Sequence, residues 1–298
     1  MSVSFESFEL CILCGHHHLE PMIGYESCYL VKCRSCKFVF VQRIPTEPEL
    51  IEHYSRYPRS FDVSDLTIKR YNQLLDTFES SRKHNRILDV GAGNCLFLIE
   101  ATKRGWQSYG TDFGQSAVDI GTQHGINMKQ GKLSADWYPA NYFDVVTTFE
   151  TIEHVNSPNL EIENIQKILR PGGLVYLTTP NFNSIERRTM KINYNAIEYP
   201  EHLSYYSPHS MNYLLQKHGF EKVSLQTTGV SLTRLKTSLQ LKNKQAMTEL
   251  FVSKESTDER LRLNIESNKF KLMMKNMANS LLTFLGIGNS LKALYRKK

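Results

Sequence analysis

Between Arg86 and Thr178 the chain alternates strand-like runs with amphipathic stretches, and this order restricts the fold more than any other feature of its 298 residues. Ile87–Val90, Gln107–Thr111, Asn127–Gln130, Phe143–Phe149 and Leu174–Thr178 have strand length, whereas Phe97–Arg104, Gln115–His124 and Asn159–Leu169 between them carry helical spacing. Strands joined through helices run parallel, and a parallel sheet needs cover on both faces. Ser210–His218 and Lys222–Thr227 supply one more helix and strand. The expected core is an α/β, Rossmann-like sheet flanked by helices.

The first strand-to-helix turn reads Asp89-Val-Gly-Ala-Gly93, where Gly91 and Gly93 allow the backbone to approach a ligand closely. Asp112 ends the second strand, the position from which a carboxylate grips a ribose diol through two charge-assisted hydrogen bonds. The third glycine of a dinucleotide fingerprint is replaced by Leu96, which favours a nucleoside without a pyrophosphate.

With Phe143-Asp-Val-Val146 and Leu169-Arg-Pro-Gly-Gly-Leu-Val-Tyr-Leu-Thr-Thr-Pro-Asn181 following in order, residues from about Arg86 to Thr228 resemble the class I S-adenosylmethionine-dependent methyltransferases. The resemblance implies a seven-stranded methyltransferase sheet and S-adenosylmethionine as cofactor. It places Asp89, Gly91, Ala92 and Gly93 at the methionine end, Asp112 on the ribose hydroxyls and Phe113 against adenine. Lys132 and Leu133 stand where that family often has an Asp and an apolar residue beside adenine, and Glu150 adjoins the sulfonium end.

Just after the fourth strand, Phe149-Glu150-Thr-Ile-Glu153-His154-Val155 brings together two carboxylates and an imidazole. In a helical turn Glu150, Glu153 and His154 share one side, and a divalent cation or a proton would relieve their repulsion. The segment resembles the Glu-x-x-Glu-His motif of two groups, the plant small-RNA 3′-terminal 2′-O-methyltransferases and the ubiquinone-biosynthesis O-methyltransferases. In the former a later His completes a four-ligand site, and here His202 occupies the matching region. Two readings stand side by side: a catalytic ion such as Mn or Mg on Glu150, Glu153, His154 and His202, or His154 acting as a metal-free general base.

Cys11-Ile-Leu-Cys14 and Cys33-Arg-Ser-Cys36 are two knuckles separated by eighteen residues, the spacing of a four-thiolate zinc ribbon. Four thiolates leave no open position, so the zinc is expected to be structural. His16, His17 and His18 beside the first knuckle are expected in solvent, and Cys28 and Cys95 are read as ordinary thiols. The expected organisation is a ribbon over 1–44, linker helices over 45–85 (one at about 49–54, one over Ser64–Ser81), the methyltransferase domain over 86–228, and a basic helical extension over 229–298.

A ribbon ahead of such a domain resembles methyltransferases of surface-polysaccharide, modified-sugar and natural-product pathways. That resemblance, with the aromatic and polar stretch Asn193–His202, implies O-methylation of a small-molecule or glycan acceptor, nucleotide- or lipid-linked, with Tyr194 and Tyr199 stacking on a sugar ring. The alternatives are C-methylation of a nucleotide-linked keto sugar and methylation of RNA. The ribbon has no dense Lys/Arg patch interleaved with aromatics, which weighs against a nucleic-acid partner.

The net charge of +6 is unevenly spread, because residues 229–298 hold 14 Lys and Arg against 5 Asp and Glu, leaving the preceding 228 residues at −3. In this tail Phe270, Met273, Met274, Met277, Leu281 and Leu285 form one apolar stripe. Packing of that stripe on the protein is the expected arrangement, with Ser290–Tyr295 as an edge strand, and peripheral membrane contact is the alternative. No apolar run reaches the roughly 18 residues of a spanning helix, and a cytosolic enzyme is expected.

Overall fold

The computed structural model describes residues 6–46, 64–230 and 268–298. The helix expected at 49–54 and most of the helical region expected over 230–285 lie outside these residues. The chain divides into two compact units, Met1–Ile51 with Pro180–Ser210 and Leu225–Leu291, and Glu52–Thr179 with Met211–Ser224 and Lys292–Lys298.

In the first unit, strands β1 (Leu19–Pro21), β2 (Leu30–Cys33), β3 (Val39–Val41) and β9 (Ser204–Tyr205) form a four-stranded sheet in that order. Each Cys-x2-Cys turn closes the same way: Gly15 N donates to Cys11 O at 2.8 Å and Lys37 N to Cys33 O at 3.0 Å. Both closing residues hold positive φ, +75° and +60°. The ribbon does not end with its own strands, because β3 pairs antiparallel with β9, Val39 opposite Tyr205 and Phe40 opposite Ser204. One apolar cluster joins Tyr25, Cys28, Leu30, Val39 and Val41 to Phe182, Met190, Tyr194, Ala196, Ile197, Leu203 and Tyr205. The ribbon expected over 1–44 thus obtains its core from residues about 150 positions away, which is how so short a segment finds enough apolar surface to bury. Helix α5 (Ile185–Met190) lies in this part of the chain, capped by Ser184.

The second unit is built on helix α1 (Asp65–Phe78) and a seven-stranded sheet. Ser64 caps α1 by accepting from Thr67 N, and Leu66, Leu75 and Phe78 are its buried face. Strands β4 (Arg86–Val90), β5 (Gln107–Asp112), β6 (Asn127–Gln130), β7 (Phe143–Phe149), β8 (Leu169–Pro180), β10 (Phe220–Thr228) and β11 (Ser290–Lys297) are ordered β6-β5-β4-β7-β8-β11-β10. The pairs β4–β5, β5–β6, β4–β7 and β7–β8 are parallel. Helices α2 (Leu96–Lys103), α3 (Gln115–Gln123) and α4 (Pro158–Ile168) make the crossovers, and α6 (Pro208–Lys217) precedes β10.

The carboxyl-terminal strand is not at the edge as expected: β11 lies between β8 and β10, and β10 is the edge. An interior place suits its residues, since Leu291, Ala293, Leu294 and Tyr295 are all buried. The entry to β4 is set by the fully buried Asp144, which accepts from Arg170 Nε at 2.6 Å and from the backbone N–H groups of His84 and Arg86 at 2.8 and 3.3 Å. A buried carboxylate persists only when it is paired and hydrogen-bonded in this way.

Candidate active site

The carboxyl ends of β4, β5 and β7 deliver the residues that the sequence singled out. After β4 the chain turns through Gly91 at φ +75° and Gly93 at φ +53°. Gly91 N and Ala92 N both donate to Thr111 O at 2.9 Å, which ties this loop to β5. A Cβ on Gly91 would collide with the Thr151 side chain, so the loop's close approach requires glycine as well as its dihedral. Asp112 closes the cradle: Oδ2 accepts from Gly93 N at 2.9 Å and Oδ1 from Gly114 N at 2.8 Å. Each carboxylate oxygen keeps a second lone pair for a diol. Phe113 follows, 67% exposed, an apolar residue beside the Asp112 carboxylate. Leu133 is buried, its carbonyl accepting from Asn164 Nδ2 at 2.9 Å, while Lys132 is exposed and its charge acts on Glu161.

Asp89 is buried beneath this loop and accepts from Thr147 Oγ1 at 2.7 Å. Burial pushes its carboxyl up to about 8, the Thr147 hydroxyl pulls it partly back, and the Asp112 carboxylate adds to the rise. Because the folded value exceeds the unfolded one, this group's stabilisation is complete below roughly pH 4. It is lost as the pH climbs through about 8. Chemical denaturation of the cofactor-free protein is therefore expected to show stability falling between those limits. Asp89→Asn should flatten that slope, and an equal slope in the variant would remove Asp89 as its source.

The acidic segment after β7 departs from the expected helical turn. Only Ile152–His154 forms a turn, of 3-10 type, and Glu150 precedes it in the left-handed region at φ +46°. Glu150 therefore does not share a helical face with the others. A carboxylate oxygen of Glu153 and a ring nitrogen of His154 lie within 4.8 Å of one another, and Glu150 does not join them as a third mutually close group. Glu153 is buried and accepts from Thr179 Oγ1 at 3.0 Å. Glu150 is accessible yet crowded by protein, which raises its carboxyl, while Thr178 and Lys292 act in the opposite direction. The positions that sequence reasoning missed are Thr147 and Thr179, which orient Asp89 and Glu153. Their signal was a Thr-Thr pair following the apolar run of each strand, Val145-Val146 and Leu174-Val-Tyr-Leu177.

In the first unit, His202 has its ring direction set by its own neighbours. Nδ1 lies 2.8 Å from Ala196 O, and since a carbonyl only accepts, Nδ1 carries the proton and Nε2 the lone pair. Metal-ligating and general-base imidazoles are commonly oriented this way. Tyr194, expected to stack on substrate, is instead 2% exposed within the unit's core, its hydroxyl donating to Asn289 Oδ1. Tyr199 is also engaged, with Tyr29 edge-on at 5.2 Å and the Arg43 guanidinium 5.5 Å from its ring centroid. Tyr194 therefore offers no open face for sugar stacking, whereas Tyr199 is half-buried.

The four ribbon sulfurs lie within 4.8 Å of one another, with Cys11 and Cys36 at 3.5 Å and Cys14 and Cys33 at 3.6 Å. Tetrahedral zinc–thiolate bonds set sulfurs roughly 3.8 Å apart, so the cluster can hold zinc. All six cysteines are unbridged, and the three His rings beside the first knuckle pack on one another outside the cluster.

A parallel sheet with a glycine cradle after its first strand and a carboxylate after its second defines a nucleoside-cofactor enzyme of the methyltransferase type. Residues 64–225 match the methyltransferase-domain family, and the chain belongs to it. Among curated relatives, the ubiquinone biosynthesis O-methyltransferase of Coxiella burnetii is 31% identical over 107 residues, 34% of this chain and 46% of that protein. That of Saccharophagus degradans is 29% identical over 128 residues, 41% of this chain and 53% of its own length. The chain thus spans about half the length of the curated relatives it matches. Among solved structures, a SAM-dependent methyltransferase from Archaeoglobus fulgidus superposes with a TM-score of 0.51 at 16% identity, covering 85% of this chain and all of that one. The PH0226 protein of Pyrococcus horikoshii gives 0.51 at 13% identity, covering 83% and 99%. These structural likenesses concern the fold alone.

Proposed function

We propose that the protein transfers the methyl group of S-adenosylmethionine to a hydroxyl oxygen of an acceptor carrying neighbouring hydroxyls, a saccharide or sugar-containing molecule. The observation that carries this reading is the buried Glu153 carboxylate beside the His154 ring at the end of β7. Such a pair serves a proton that must leave an acceptor hydroxyl. The name carried by the relatives, ubiquinone biosynthesis O-methyltransferase, points to the same class of transfer and supplies the second reading, a phenolic acceptor.

The donor supplies an electrophilic methyl carbon on a sulfonium sulfur. Asp112 binds the ribose diol, Phe113 covers adenine, and Asp89 with the Gly91–Gly93 backbone holds the methionine end. With the donor bound, the acceptor oxygen would gain the methyl carbon in line with the C–S bond, the sulfur would keep the bonding pair, and in the metal-free reading His154 would take the hydroxyl proton. In the alternative reading His154 is a ligand rather than the base: Glu153 and His154, with His202 as the further member that the sequence motif implies, would hold Mn or Mg, and Glu150 stands outside the mutually close groups. A bound ion there would lower the pKa of a ligated hydroxyl. A buried carboxylate and an imidazole suit this donor set.

Asp112→Ala removes two hydrogen bonds to a charged acceptor, each worth roughly 1.5–3 kcal/mol. Affinity for S-adenosylhomocysteine is expected to fall at least about tenfold by calorimetry. An unchanged dissociation constant would withdraw Asp112 from the cofactor site. The reaction itself is tested by incubating the protein with isotopically labelled donor and sugar, nucleotide-sugar and phenolic acceptors, then locating the label by NMR. An O-methyl signal supports the reading, and a C-methyl or N-methyl product overturns it.

A further inference from the structure

Helix α7 (Lys269–Leu285) is mounted with its apolar side outward. Its inner face is fixed by polar bonds: Thr227 Oγ1 donates to Leu282 O at 2.7 Å, Thr283 Oγ1 to Thr227 O at 3.0 Å, and Gly229 N to Asn279 Oδ1 at 3.0 Å. The stripe expected to pack on the protein is exposed instead. Phe284 is 86% and Phe270 67% exposed, and Met273, Met277 and Leu281 are at least half exposed. At about 100° per residue these side chains, with Met274 and Leu285, fall in one arc of roughly 120°, the width of the buried stripe on an ordinary amphipathic helix. Burying the stripe and hydrating the polar face is the arrangement a globular core favours, and α7 reverses it.

Charge decides what covers the stripe. The helix contains Lys269, Lys271 and Lys275 and not one acidic residue. Lys269 and Lys271 lie about 100° to either side of the stripe. From there their ammonium groups can reach a plane of anionic head groups while the Phe, Met and Leu side chains enter the acyl boundary. A protein partner or a second copy of the helix would have to supply acidic groups, and α7 itself offers none for self-pairing. No helix among the described residues is long and apolar enough to cross a membrane, so the contact is with a surface. We propose that α7 is an interfacial helix that seats the protein on an anionic lipid surface.

The test uses the full chain with vesicles of pure phosphatidylcholine and of phosphatidylcholine containing phosphatidylglycerol. Co-sedimentation is expected with the anionic vesicles and should weaken as salt rises. Met277→Asp and Phe284→Asp each place a charge in the stripe and should lower vesicle affinity at least about tenfold. S-adenosylhomocysteine affinity and the circular dichroism spectrum should stay as they were, which separates this effect from misfolding. Absence of sedimentation with anionic vesicles would overturn the proposal. So would wild-type vesicle affinity in both variants, or a concentration-dependent dimer by ultracentrifugation that the same substitutions dissolve.

Discussion

Cys33→Ser is expected to leave the purified chain without zinc, where the unaltered protein carries about one ion. Removing one thiolate from a closed four-ligand set forfeits most of a binding energy that in small zinc peptides is roughly 10–16 kcal/mol. The loss should not stop at residue 44. Phe182, Met190, Ile197, Leu203 and Tyr205 share one core with Leu30, Val39 and Val41, and among the described residues β9 pairs with β3 alone. Amide hydrogen exchange should therefore speed up across 182–205 together with 6–46, while S-adenosylhomocysteine affinity, which we propose rests on Asp89, Gly91–Gly93 and Asp112, persists. A metal-free variant that keeps its protection in both stretches would show that the ribbon needs no ion. Loss of protection confined to 6–46 would show that the shared core stands without it.

His154→Ala is expected to lower the turnover rate by about 10²–10⁴, the range removed with a positioned general base. Affinity for S-adenosylhomocysteine should be unchanged, because the cofactor-facing residues lie on β4 and β5. Chelation separates the two roles open to this imidazole. If Glu153, His154 and His202 hold an ion, a chelator should abolish turnover, Mn or Mg should restore it, and His202→Ala should weaken the metal dependence without unfolding. Full activity in chelator, with His154→Ala still inactive, would establish the metal-free mechanism. Retention of activity by His154→Ala would remove it from both.

The most local features were the most legible. The apolar period of helical spacing over Ser64–Ser81 announced α1, which runs over Asp65–Phe78 with Ser64 as its cap. β6 and β7 begin and end where alternation placed them, at Asn127–Gln130 and Phe143–Phe149. The cradle residues were legible because glycine at positive φ and an acid at a strand end are each demanded by a single turn. Glu150 was not, because the spacing of Glu150, Glu153 and His154 fits a helix and gives no sign that the chain enters it through a left-handed residue. Tyr194 read as an open ring since an aromatic beside polar residues looks the same whether it faces solvent or a core.

From the sequence alone came the parallel sheet, the nucleoside cradle and the four-cysteine knuckles, all specified by residues within a few positions of one another. Tertiary structure decided the pairing of β3 with β9, the interior place of β11 and the outward stripe of α7. Each of these joins segments far apart in the chain. Strand and helix periods state which face is apolar, but which partner covers that face depends on what the folded chain brings beside it. Thr227 and Gly229 met the polar side of α7 through hydrogen bonds that no local pattern encodes, and so its apolar side was left facing out.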